Sequence, residues 1–569
     1  MRSRMLAVAR GDEAADLVLK GGRVLSVFTG EVFDADVAIV DGRVVGLGAY
    51  DGHDIHDVSG KIVLPGFIDG HCHIESSKLN VDEFARAVLP RGTTSVVIDP
   101  HEIANVLGLA GVEYMLAASK SVPLGVYVMM PSCVPASDFE SPAAALEAPE
   151  FPDLLDRRRV LGIAELMNYP AAIAGDPAIM SKMAVANYRH VDGHAPGVRG
   201  KELNAYIVSG PASDHECTSL EEALEKRRLG MWIMIREASM IRNLLDLLPL
   251  VRDYGTENCM FVTDDREAGT LMAEGHMNSI VRKAVAHGLR PADAVKLASL
   301  NVARYHELHD RGAVAPGFAA DLQVVADLES FDPEAVYKDG KLVASAGIAK
   351  PFADTPVPET VTRTVHLGAL EISDFRVDAE GAREIRVVDL VPDQVVTRAS
   401  AAVPTVAGGT IVADPEKDLV KLAVVERHRG TGRIGIGFVR GFGLRDGAFA
   451  STVAHDAHNI VIAGVDDEDM LLCARRLAEI GGGLVVCREG RVLGELPLEI
   501  AGLMSRKRAS DVVAALEKLE DLLAAMGVTV GTPFMYLSFL ALSVIPELRV
   551  TDLGVVDVNA FRLVPLGIP

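Results

Sequence analysis

The sequence predicts an α/β protein in which a (β/α)8 barrel is inserted into a small split β-sandwich domain and followed by a C-terminal α+β domain. Three observations support this prediction. Strand-like segments with glycine turns occur at 16–64 and return at 321–346, strand-like and helix-like segments alternate between them, and a proline-rich segment follows at 350–370. A chain of 569 residues also exceeds the roughly 250–300 residues that one core usually serves.

The N-terminal segment alternates apolar and polar residues in short bursts, such as DLVLKGGRVLSV and DVAIVDGRVVGLG. A period of two with glycine-rich turns indicates antiparallel strands. The segment is too short to bury both faces of a sheet by itself, and a related pattern returns at 321–346. We therefore predict one composite β-sandwich domain made of residues 1–64 and 315–350.

Residues 65–314 have the usual length of a (β/α)8 barrel, roughly 250 residues. Eight short apolar runs alternate there with helix-like stretches, and several runs are followed directly by a polar or ionisable residue. Because barrel active sites lie at the carboxyl ends of the strands, these residues are functional candidates. The eight predicted strands are Phe67–Asp69, Ser95–Asp99, Val126–Met130, Leu161–Leu166, Val191–His194, Ala212–His215, Trp232–Arg236 and Met260–Asp264.

The proline-rich, aperiodic segment at 350–370 predicts a linker. Beyond it, the strand-like runs KLAVVERH, HNIVIAGV and GLVVCREG accompany one amphipathic segment, SDVVAALEKLEDLLAAMG, which predicts a helix. This mixture predicts a third domain, of the α+β class, over residues 351–569.

The composition, 49% hydrophobic and 24% charged, is that of a globular protein and excludes a disordered chain. The 56 basic and 79 acidic residues give a net charge of −23, which argues against nucleic acid or an anionic membrane as partner. The 6 scattered cysteines include no CxxC pair, which favours a reducing compartment. The longest apolar run, Phe534–Pro546, is shorter than the ~20 residues of a membrane span. We expect a soluble cytoplasmic protein that binds a small molecule.

The strongest local motif is His71-Cys72-His73, at the end of the first predicted barrel strand. Side chains alternate along a strand, so the two histidines project the same way and can reach one metal ion about 2 Å from each ring nitrogen. Cys72 faces the opposite way and is predicted to pack. An isolated His-x-His is a weak signal, because two surface or core histidines produce the same pattern.

More candidate ligands lie at the ends of other predicted strands: Glu165, His194, His215 and the pair Asp264 and Asp265. A single strand-end glutamate is usually solvated and a single histidine is usually structural, but a barrel brings such ends into one small volume. Imidazole and carboxylate donors without thiolate suit Zn²⁺, Mn²⁺ or Fe²⁺. Six ligands exceed what one open catalytic ion takes from protein, so two ions bridged by Glu165 are predicted.

Longer motifs extend this pattern over nearly the whole chain. They are DGHCHIESS, VVIDPHEIANVLG, AELMNYP, DGHAPG, SDHE and FVTDD, followed far downstream by VAHDAHNIVIAG and FLALSVIPELRVTD. With these motifs the sequence resembles the amidohydrolase superfamily and, within it, the bacterial adenine deaminase family, whose members carry an additional C-terminal domain. The hydantoinase and dihydroorotase branches usually have a carboxylated lysine on the fourth strand, where this chain has Glu165.

The resemblance implies hydrolytic deamination of adenine to hypoxanthine and ammonia at a binuclear divalent metal centre, of manganese or iron, with zinc as the third candidate. It also implies a homo-oligomer, a dimer. Asp264 would be the catalytic residue, taking a proton from the attacking water and passing it toward the ring or the leaving amine. With Glu165 as the bridge, one ion would take His71, His73 and Asp264, and the other would take His194 and His215.

A pocket for a purine base needs hydrogen-bond donors and acceptors around its rings. The candidate substrate contacts are Asp99, His101 and Glu102, after the second predicted strand, and Arg236 and Glu237, after the seventh. Arg236 and Glu237 could equally form a structural ion pair. The DPHE run that contains Asp99 could equally begin a helix.

Three details remain open at this stage. Ala238, within IREASM at 235–240, stands where the family pattern more often has glycine, which leaves the preferred purine open. Asp265 or His101 could share the proton shuttle. The segment His455–Asn459 could suggest a metal site, but it precedes a strand in a separate predicted domain, so we favour a structural or interface role.

Three other classes of protein share part of this pattern. The cytidine-type zinc deaminases need HxE and PCxxC; His73-Ile74-Glu75 meets the first half, but the sequence contains no PCxxC, which excludes that class. A second interpretation is an amidohydrolase that acts on another aminopurine, a pterin or a cyclic amide. A third is a non-catalytic binding protein, but six converging ligands argue against it.

Overall fold

The N-terminal region consists of one helix and short strands joined by tight turns. The computed structural model of the chain describes residues 2–187, 189–379, 381–392 and 394–568. Four of the first strands form a sheet in the order β5-β4-β1-β6. The elements are α1 (Arg2–Ala9), β1 (Ala15–Lys20), β2 (Arg23–Leu25), β3 (Val32–Asp34), β4 (Asp36–Val40), β5 (Arg43–Gly48), β6 (Gly52–Asp57) and β7 (Ile62–Pro65).

Eight parallel strands follow, and each overlaps one of the eight predicted runs. They are β8 (Phe67–Cys72), β9 (Thr93–Ile98), β10 (Gly125–Met130), β11 (Val160–Leu166), β12 (His190–Gly193), β13 (Ser213–Asp214), β14 (Trp232–Arg236) and β15 (Cys259–Val262). They form two sheets, β12-β11-β10-β9-β8 and β13-β14-β15.

Backbone hydrogen bonds connect the two sheets at both junctions. Ala212 N–H donates to Val191 O at 2.9 Å beside β12 and β13, and Asp264 N–H donates to His71 O at 3.0 Å beside β15 and β8. Gly193 permits the close approach of β12 and β13, because a Cβ there would lie 2.2 Å from a backbone oxygen on β13. The strands therefore form a closed ring, which is consistent with the predicted (β/α)8 barrel and confirms a mixed α/β class.

Helices connect the strands of the ring, and polar caps mark where several of them begin. Asp176 Oδ1, for example, accepts hydrogen bonds from two backbone amides in the first turn of one of these helices. The helices are α2 (Val81–Val88), α3 (His101–Leu107), α4 (Leu109–Ala118), α5 (Pro152–Leu155), α6 (Tyr169–Ala174), α7 (Pro177–Val185), α8 (Gly200–Ser209), α9 (Leu220–Arg228), α10 (Leu244–Tyr254), α11 (Ala268–Glu274), α12 (Met277–Ala286), α13 (Pro291–Leu297) and α14 (Leu300–Tyr305).

The chain then returns to the N-terminal strands and completes a sheet with them. The new strands are β16 (Leu322–Val325), β17 (Pro333–Lys338), β18 (Lys341–Ser345) and β19 (Ile348–Ala349). The sheet order is β19-β18-β17-β16-β7-β2-β3, with β16 antiparallel to β7. One sheet thus combines strands from both sides of the barrel. The sandwich and the boundaries 1–64 and 315–350 stay predictions.

The C-terminal region is built on a large, mainly antiparallel sheet, β22-β21-β26-β25-β28-β27-β29-β30 with β34 paired to β21. Helix α16 overlaps the one amphipathic helix predicted there. The elements are β20 (Val377–Asp378), β21 (Glu384–Leu390), β22 (Thr397–Ala402), β23 (Thr405–Ala407), β24 (Thr410–Val412), β25 (Leu419–Val425), β26 (Ile434–Arg440), β27 (Ala448–Ser451), β28 (Ile460–Gly464), α15 (Asp467–Ile480), β29 (Gly483–Arg488), β30 (Arg491–Pro497), α16 (Ala509–Ala525), α17 (Pro533–Phe539), β31 (Leu548–Thr551), β32 (Gly554–Asp557), β33 (Arg562–Val564) and β34 (Gly567–Ile568).

The C-terminal region packs directly on the barrel. Glu83 of α2 accepts hydrogen bonds from the Arg508 side chain at 2.6 Å and from the backbone N–H of Ala509, the first residue of α16, at 3.0 Å. Asn459 donates to Ser141 O at 3.1 Å at a second contact. Apolar side chains of α2 and α16 belong to one continuous core. Within the described residues, no helix combines the length and apolar character that crossing a bilayer requires.

A buried ion pair fixes one side of the barrel mouth. The Lys226 ammonium of α9 is fully buried and donates to Ala195 O at 2.7 Å, to Asp214 Oδ2 at 3.0 Å and to Glu222 Oε1 at 2.7 Å. Burial alone would raise the pKa of Asp214, but Lys226, with His215 and Cys217, outweighs burial and lowers that pKa. Asp214 and Ala195 each adjoin a histidine of the predicted metal site, so this ion pair positions the backbone at both.

We predict that Lys226→Met lowers the free energy of unfolding of the barrel by about 3–5 kcal/mol, because it leaves buried carboxylate charge uncompensated. The free energy of unfolding is measured by urea titration with the fluorescence of Trp232. This residue is the single tryptophan of the chain and lies in β14, so it reports on the barrel. The ionised Asp214 carboxylate contributes to wild-type stability above its pKa in the unfolded chain, about 3.9. This contribution disappears as the pH falls through the lowered pKa of Asp214 in the folded protein, so the difference in free energy of unfolding between wild type and Lys226→Met becomes smaller in acid.

Lys296→Met is the matched control, because the Lys296 ammonium lies 3.4 Å from Glu257, whose side chain is 74% exposed. A surface pair of this kind contributes at most about 1 kcal/mol. Equal losses in the two variants would contradict the role given to Lys226.

Candidate active site

Six ionisable side chains converge where the barrel strands end, and all six are buried. Each is positioned by a strand: two by β8, and one each by β11, β12, β13 and β15. The period-two alternation of β8 places both of its histidines on the same side, as predicted. The six residues are His71, His73, Glu165, His194, His215 and Asp264.

The two carboxylate oxygens of Glu165 face two different pairs of histidines. Oε2 lies 2.7 Å from His194 Nδ1 and 3.2 Å from His215 Nε2. Oε1 lies 3.4 Å from His73 Nε2 and 3.8 Å from His71 Nε2. Glu165 is therefore the one contact that both pairs share among these six residues.

Asp264 is a second carboxylate that faces the two β8 histidines. Its Oδ1 lies 3.4 Å from His71 Nε2 and 3.2 Å from His73 Nε2. Its backbone has a φ of 57°, in the left-handed region that non-glycine residues seldom adopt. Backbone hydrogen bonds between Asp264 and each of the two histidines fix this conformation.

The donor atoms fit a divalent metal centre. His73 Nδ1 donates to Asp99 O at 2.9 Å, which directs Nε2 toward the carboxylates. His71 Nε2 is buried and has no hydrogen-bond partner among the described residues, so this nitrogen is available as a metal ligand. Ligand atoms of His71, His73 and Asp264 lie within 4.8 Å of one another, as do those of His71, Glu165 and His215. Imidazole and carboxylate together suit Zn²⁺, Mn²⁺ or Fe²⁺.

Opposite charges face one another across the site. Burial alone would raise the pKa of Glu165, but His215 and His194 hold it well below its usual range. Burial acts the same way on Asp264, but Arg236 together with His71 and His73 outweighs it, so the pKa of Asp264 is also well below its usual range. Burial would lower the pKa of His73, but Asp264 and Glu165 raise it well above. Both carboxylates are thus ionised, and a bound cation would take the place of protons on the histidines.

Arg236 links this cluster to an acidic residue that the sequence analysis missed. Its NH1 donates to Asp264 Oδ2 at 2.8 Å and also to Glu216. Glu216 Oε1 lies 3.5 Å from His215 Nε2 and 3.8 Å from His194 Nδ1. The SDHE motif contained the signal, since its last residue directly follows a candidate ligand.

The predicted substrate contacts after β9 fall into two groups. His101 and Glu102 line the same cavity as the metal-site candidates. Asp99 is fully buried beside it, where its carboxylate accepts from the backbone N–H of His101 at 3.1 Å and from His101 Nδ1 at 2.9 Å. Asp99 therefore positions His101 and, through its carbonyl oxygen, His73. The run after β9 also begins α3, which confirms the helix interpretation of DPHE, and the substrate contacts stay a prediction.

Glu237 does not join the other candidates. Its carboxylate pairs with Lys283 of α12, and it is absent from the cavity that Arg236 lines. Neighbouring residues at the end of a strand face opposite sides, which separates Glu237 from Arg236. Arg236 does form an ion pair, but with Glu216 and Asp264 rather than with Glu237.

Residues of the C-terminal region complete the lining of the cavity at the barrel mouth. His455 and Asp456 line it from the segment between β27 and β28. Both His455 and His458 contact Glu102, the former at 2.6 Å between Nδ1 and Oε1. The predicted interface role of His455–Asn459 thus corresponds to direct contacts at the barrel mouth. An apolar wall from the same region completes the lining, with Phe539, Leu542 and Ile545.

Comparisons with known proteins agree with this architecture. A model of the amidohydrolase family matches residues 62–343, and a model of the adenine deaminase C-terminal domain matches residues 394–562. Adenine deaminase 2 of Carboxydothermus hydrogenoformans is 48% identical over 99% of both chains. The adenine deaminase of Oleidesulfovibrio alaskensis is 46% identical over 99% of this chain and 98% of its own. That of Desulfatibacillum aliphaticivorans is 46% identical over 99% of each.

These identities extend through the barrel and the C-terminal region alike, and they confirm the resemblance drawn from the sequence motifs. The chain belongs to the adenine deaminase family of the amidohydrolase superfamily.

Proposed function

We propose that this chain hydrolyses adenine to hypoxanthine and ammonia. A water oxygen forms a bond to C6 of the purine, the bond from C6 to the amino nitrogen breaks, and the amine leaves as ammonia. The observation that carries the proposal is the Glu165 carboxylate, whose two oxygens face two histidine pairs at the barrel mouth. The relationship to adenine deaminases supports adenine as the substrate.

Two divalent ions would occupy the site, with Glu165 common to both. Such a centre, when bound, supplies hydroxide near neutral pH, where free hydroxide is scarce. Manganese or iron is our first expectation and zinc the other, since the donor set accepts all three. One ion would be held by His71, His73 and Asp264, and the other by His194 and His215.

Asp264 is proposed as the proton carrier. Its Oδ2 accepts from Arg236 at 2.8 Å, while its Oδ1 faces the β8 histidines. Because Arg236 keeps the carboxylate ionised, Asp264 can accept a proton from the attacking water and deliver it to the ring or to the leaving amine. Asp265 and His101 remain candidates to share this transfer. Ser76 donates to Asp265 Oδ1 at 2.5 Å.

Arg236 is the best-placed donor for a ring nitrogen of adenine. It lines the cavity, and its Nε is buried without a hydrogen-bond partner in the described part of the chain. A purine nitrogen would satisfy that N–H, and an occupant lacking an acceptor there would leave it unpaired. His101 and Glu102 face the same space, whereas Asp99 would act by orienting His101.

Three further proposals concern the whole protein. The domains would be 1–64 with 315–350, 65–314 and 351–569, and two chains would form a homodimer. The 6 cysteines are all buried free thiols, which supports a reducing, cytoplasmic location.

The alternative is an amidohydrolase acting on another aminopurine, a pterin or a cyclic amide. Ala238, which is buried and lies two residues after Arg236 in the sequence, is the residue that keeps this alternative open. A substrate panel on the metal-loaded wild-type protein separates the two proposals. We expect ammonia and hypoxanthine from adenine, and at least about 100-fold lower kcat/KM for adenosine, guanine, a pterin and hydantoin. Turnover of another panel member without release of ammonia from adenine would contradict adenine deamination.

We predict that Asp264→Asn lowers kcat for adenine by about 10²–10⁴-fold, because the amide cannot accept a proton. Metal content and the thermal unfolding midpoint, measured beside activity, are expected to stay close to wild type.

Asp293→Asn provides the same substitution elsewhere in the barrel, where Asp293 only pairs with exposed Arg290. It is expected to leave turnover unchanged. Near-normal kcat in Asp264→Asn would refute the proton-transfer role.

A further inference from the structure

One of the acidic side chains that line the cavity accepts no hydrogen bond from the described residues. Six acidic side chains line the cavity, and five of them are engaged by protein donors. Glu102 is bound by two histidines, Glu165 by His194, Glu216 and Asp264 by Arg236, and Asp265 by Ser76. The sixth, Asp456, is 2% exposed, and its Oδ2 has no partner among the described residues.

The nearest cationic groups are too far away to satisfy Asp456. Its Oδ1 lies 3.8 Å from His101 Nε2 and 3.9 Å from His455 Nδ1. Hydrogen bonds of this kind fall between about 2.7 and 3.2 Å. A buried carboxylate oxygen without a hydrogen-bond donor is energetically unfavourable. A molecule in the cavity that donates a hydrogen bond to this oxygen would therefore bind more tightly.

The segment that carries Asp456 is held rigidly. His458 Nδ1 accepts from the backbone N–H of Ala454 at 3.0 Å, so its Nε2 carries the proton that it donates to Glu102. The backbone N–H of His455 donates to Ser538 O at 3.0 Å. The His455 ring stacks on Phe539 with centroids 4.5 Å apart. Contacts on both sides of Asp456 along the chain thus fix the backbone of a residue that lines the cavity.

Free adenine offers two kinds of N–H donor. One is the 6-amino group, which belongs at the reacting carbon beside the metal-site residues. The other is the ring N–H of the five-membered ring, which an N9-substituted adenine such as a nucleoside lacks. A pocket that selects the free base therefore needs an acceptor for that ring N–H, remote from the metal-site carboxylates.

We propose that Asp456 of the C-terminal region accepts a hydrogen bond from the ring N–H of adenine and thereby selects the free base over N9-substituted adenines. This inference rests on the proposed adenine deamination. The C-terminal region then supplies both a polar anchor and the apolar wall of Phe539, Leu542 and Ile545. Any N9 substituent removes the ring N–H, and an alkyl group such as methyl would meet a buried carboxylate without offering it another donor.

Asp456→Ala tests the proposal with adenine and 9-methyladenine as paired substrates. We expect kcat/KM for adenine to fall about 10- to 100-fold, the effect of losing a hydrogen bond to a charged group. The value for 9-methyladenine should change less than about threefold, so the selectivity ratio falls with it. Where turnover of 9-methyladenine is below detection, its Ki against adenine replaces kcat/KM.

Two more variants accompany this test. Asp456→Asn keeps a neutral acceptor oxygen and is expected to lose less than Asp456→Ala; it also serves if the alanine variant fails to fold. Asp446→Asn is the remote control, because Asp446 forms only a partly exposed pair with Arg488 at 3.2 Å. Metal content and thermal midpoint are measured for every variant.

The outcomes separate this inference from the function on which it rests. Wild-type kcat/KM for adenine in Asp456→Ala, or equal losses for adenine and 9-methyladenine, would overturn the role of Asp456 alone. Wild-type protein that releases no ammonia from adenine would remove adenine deamination and this inference together. A selective loss for adenine, with metal content unchanged, supports both.

Discussion

The shared contact of Glu165 with two pairs of histidines is the interaction on which the rest of the site depends. A carboxylate that is 3% exposed is unfavourable unless positive charge surrounds it. Four histidines from three strand ends, those of β8, β12 and β13, provide that surrounding, and the closed ring of strands brings them to one point. The junctions of β8 with β15 and of β12 with β13 are therefore as important to the site as the ligands themselves.

A second constraint joins the barrel to the C-terminal region. Glu102, at the start of α3, is bound by His455 and His458, so the barrel helix and the segment between β27 and β28 are fixed to each other. This contact brings Asp456 and the apolar side chains after α17 over the barrel mouth. The barrel contributes most of the polar lining of the cavity, and the C-terminal region contributes His455, Asp456 and the apolar wall.

The sequence predicted the parts of the site that follow from strand periodicity. His71 and His73 share a face because they are two residues apart, and the strand-end rule placed Glu165, His194, His215 and Asp264 together. The same periodicity, applied more strictly, separates Glu237 from Arg236. Glu216 was missed because β13 is only two residues long, and beyond its end alternation no longer constrains direction.

Asp456 could not have been placed from the sequence. It lies more than 350 residues after His101, the barrel residue whose Nε2 is 3.8 Å from its carboxylate, and periodicity within a segment carries no information about which surface that segment covers. Only the packing of two regions, through Glu102 and the shared core of α2 and α16, reveals its position. The strand content of the N-terminal and C-terminal regions was predictable from the sequence. The pairing of β7 with β16, which precede and follow the barrel in the sequence, was inferred only from their similar alternation of apolar and polar residues.

Glu165 would be the ligand common to two metal ions, and metal stoichiometry tests this proposal most directly. Wild-type protein and Glu165→Ala are loaded with Mn²⁺, freed of excess metal on a desalting column and measured by elemental analysis. We predict about two ions per wild-type chain and at most about one per variant chain, because the substitution removes the ligand common to both. Two ions retained by Glu165→Ala, or only one bound by the wild type, would contradict the account.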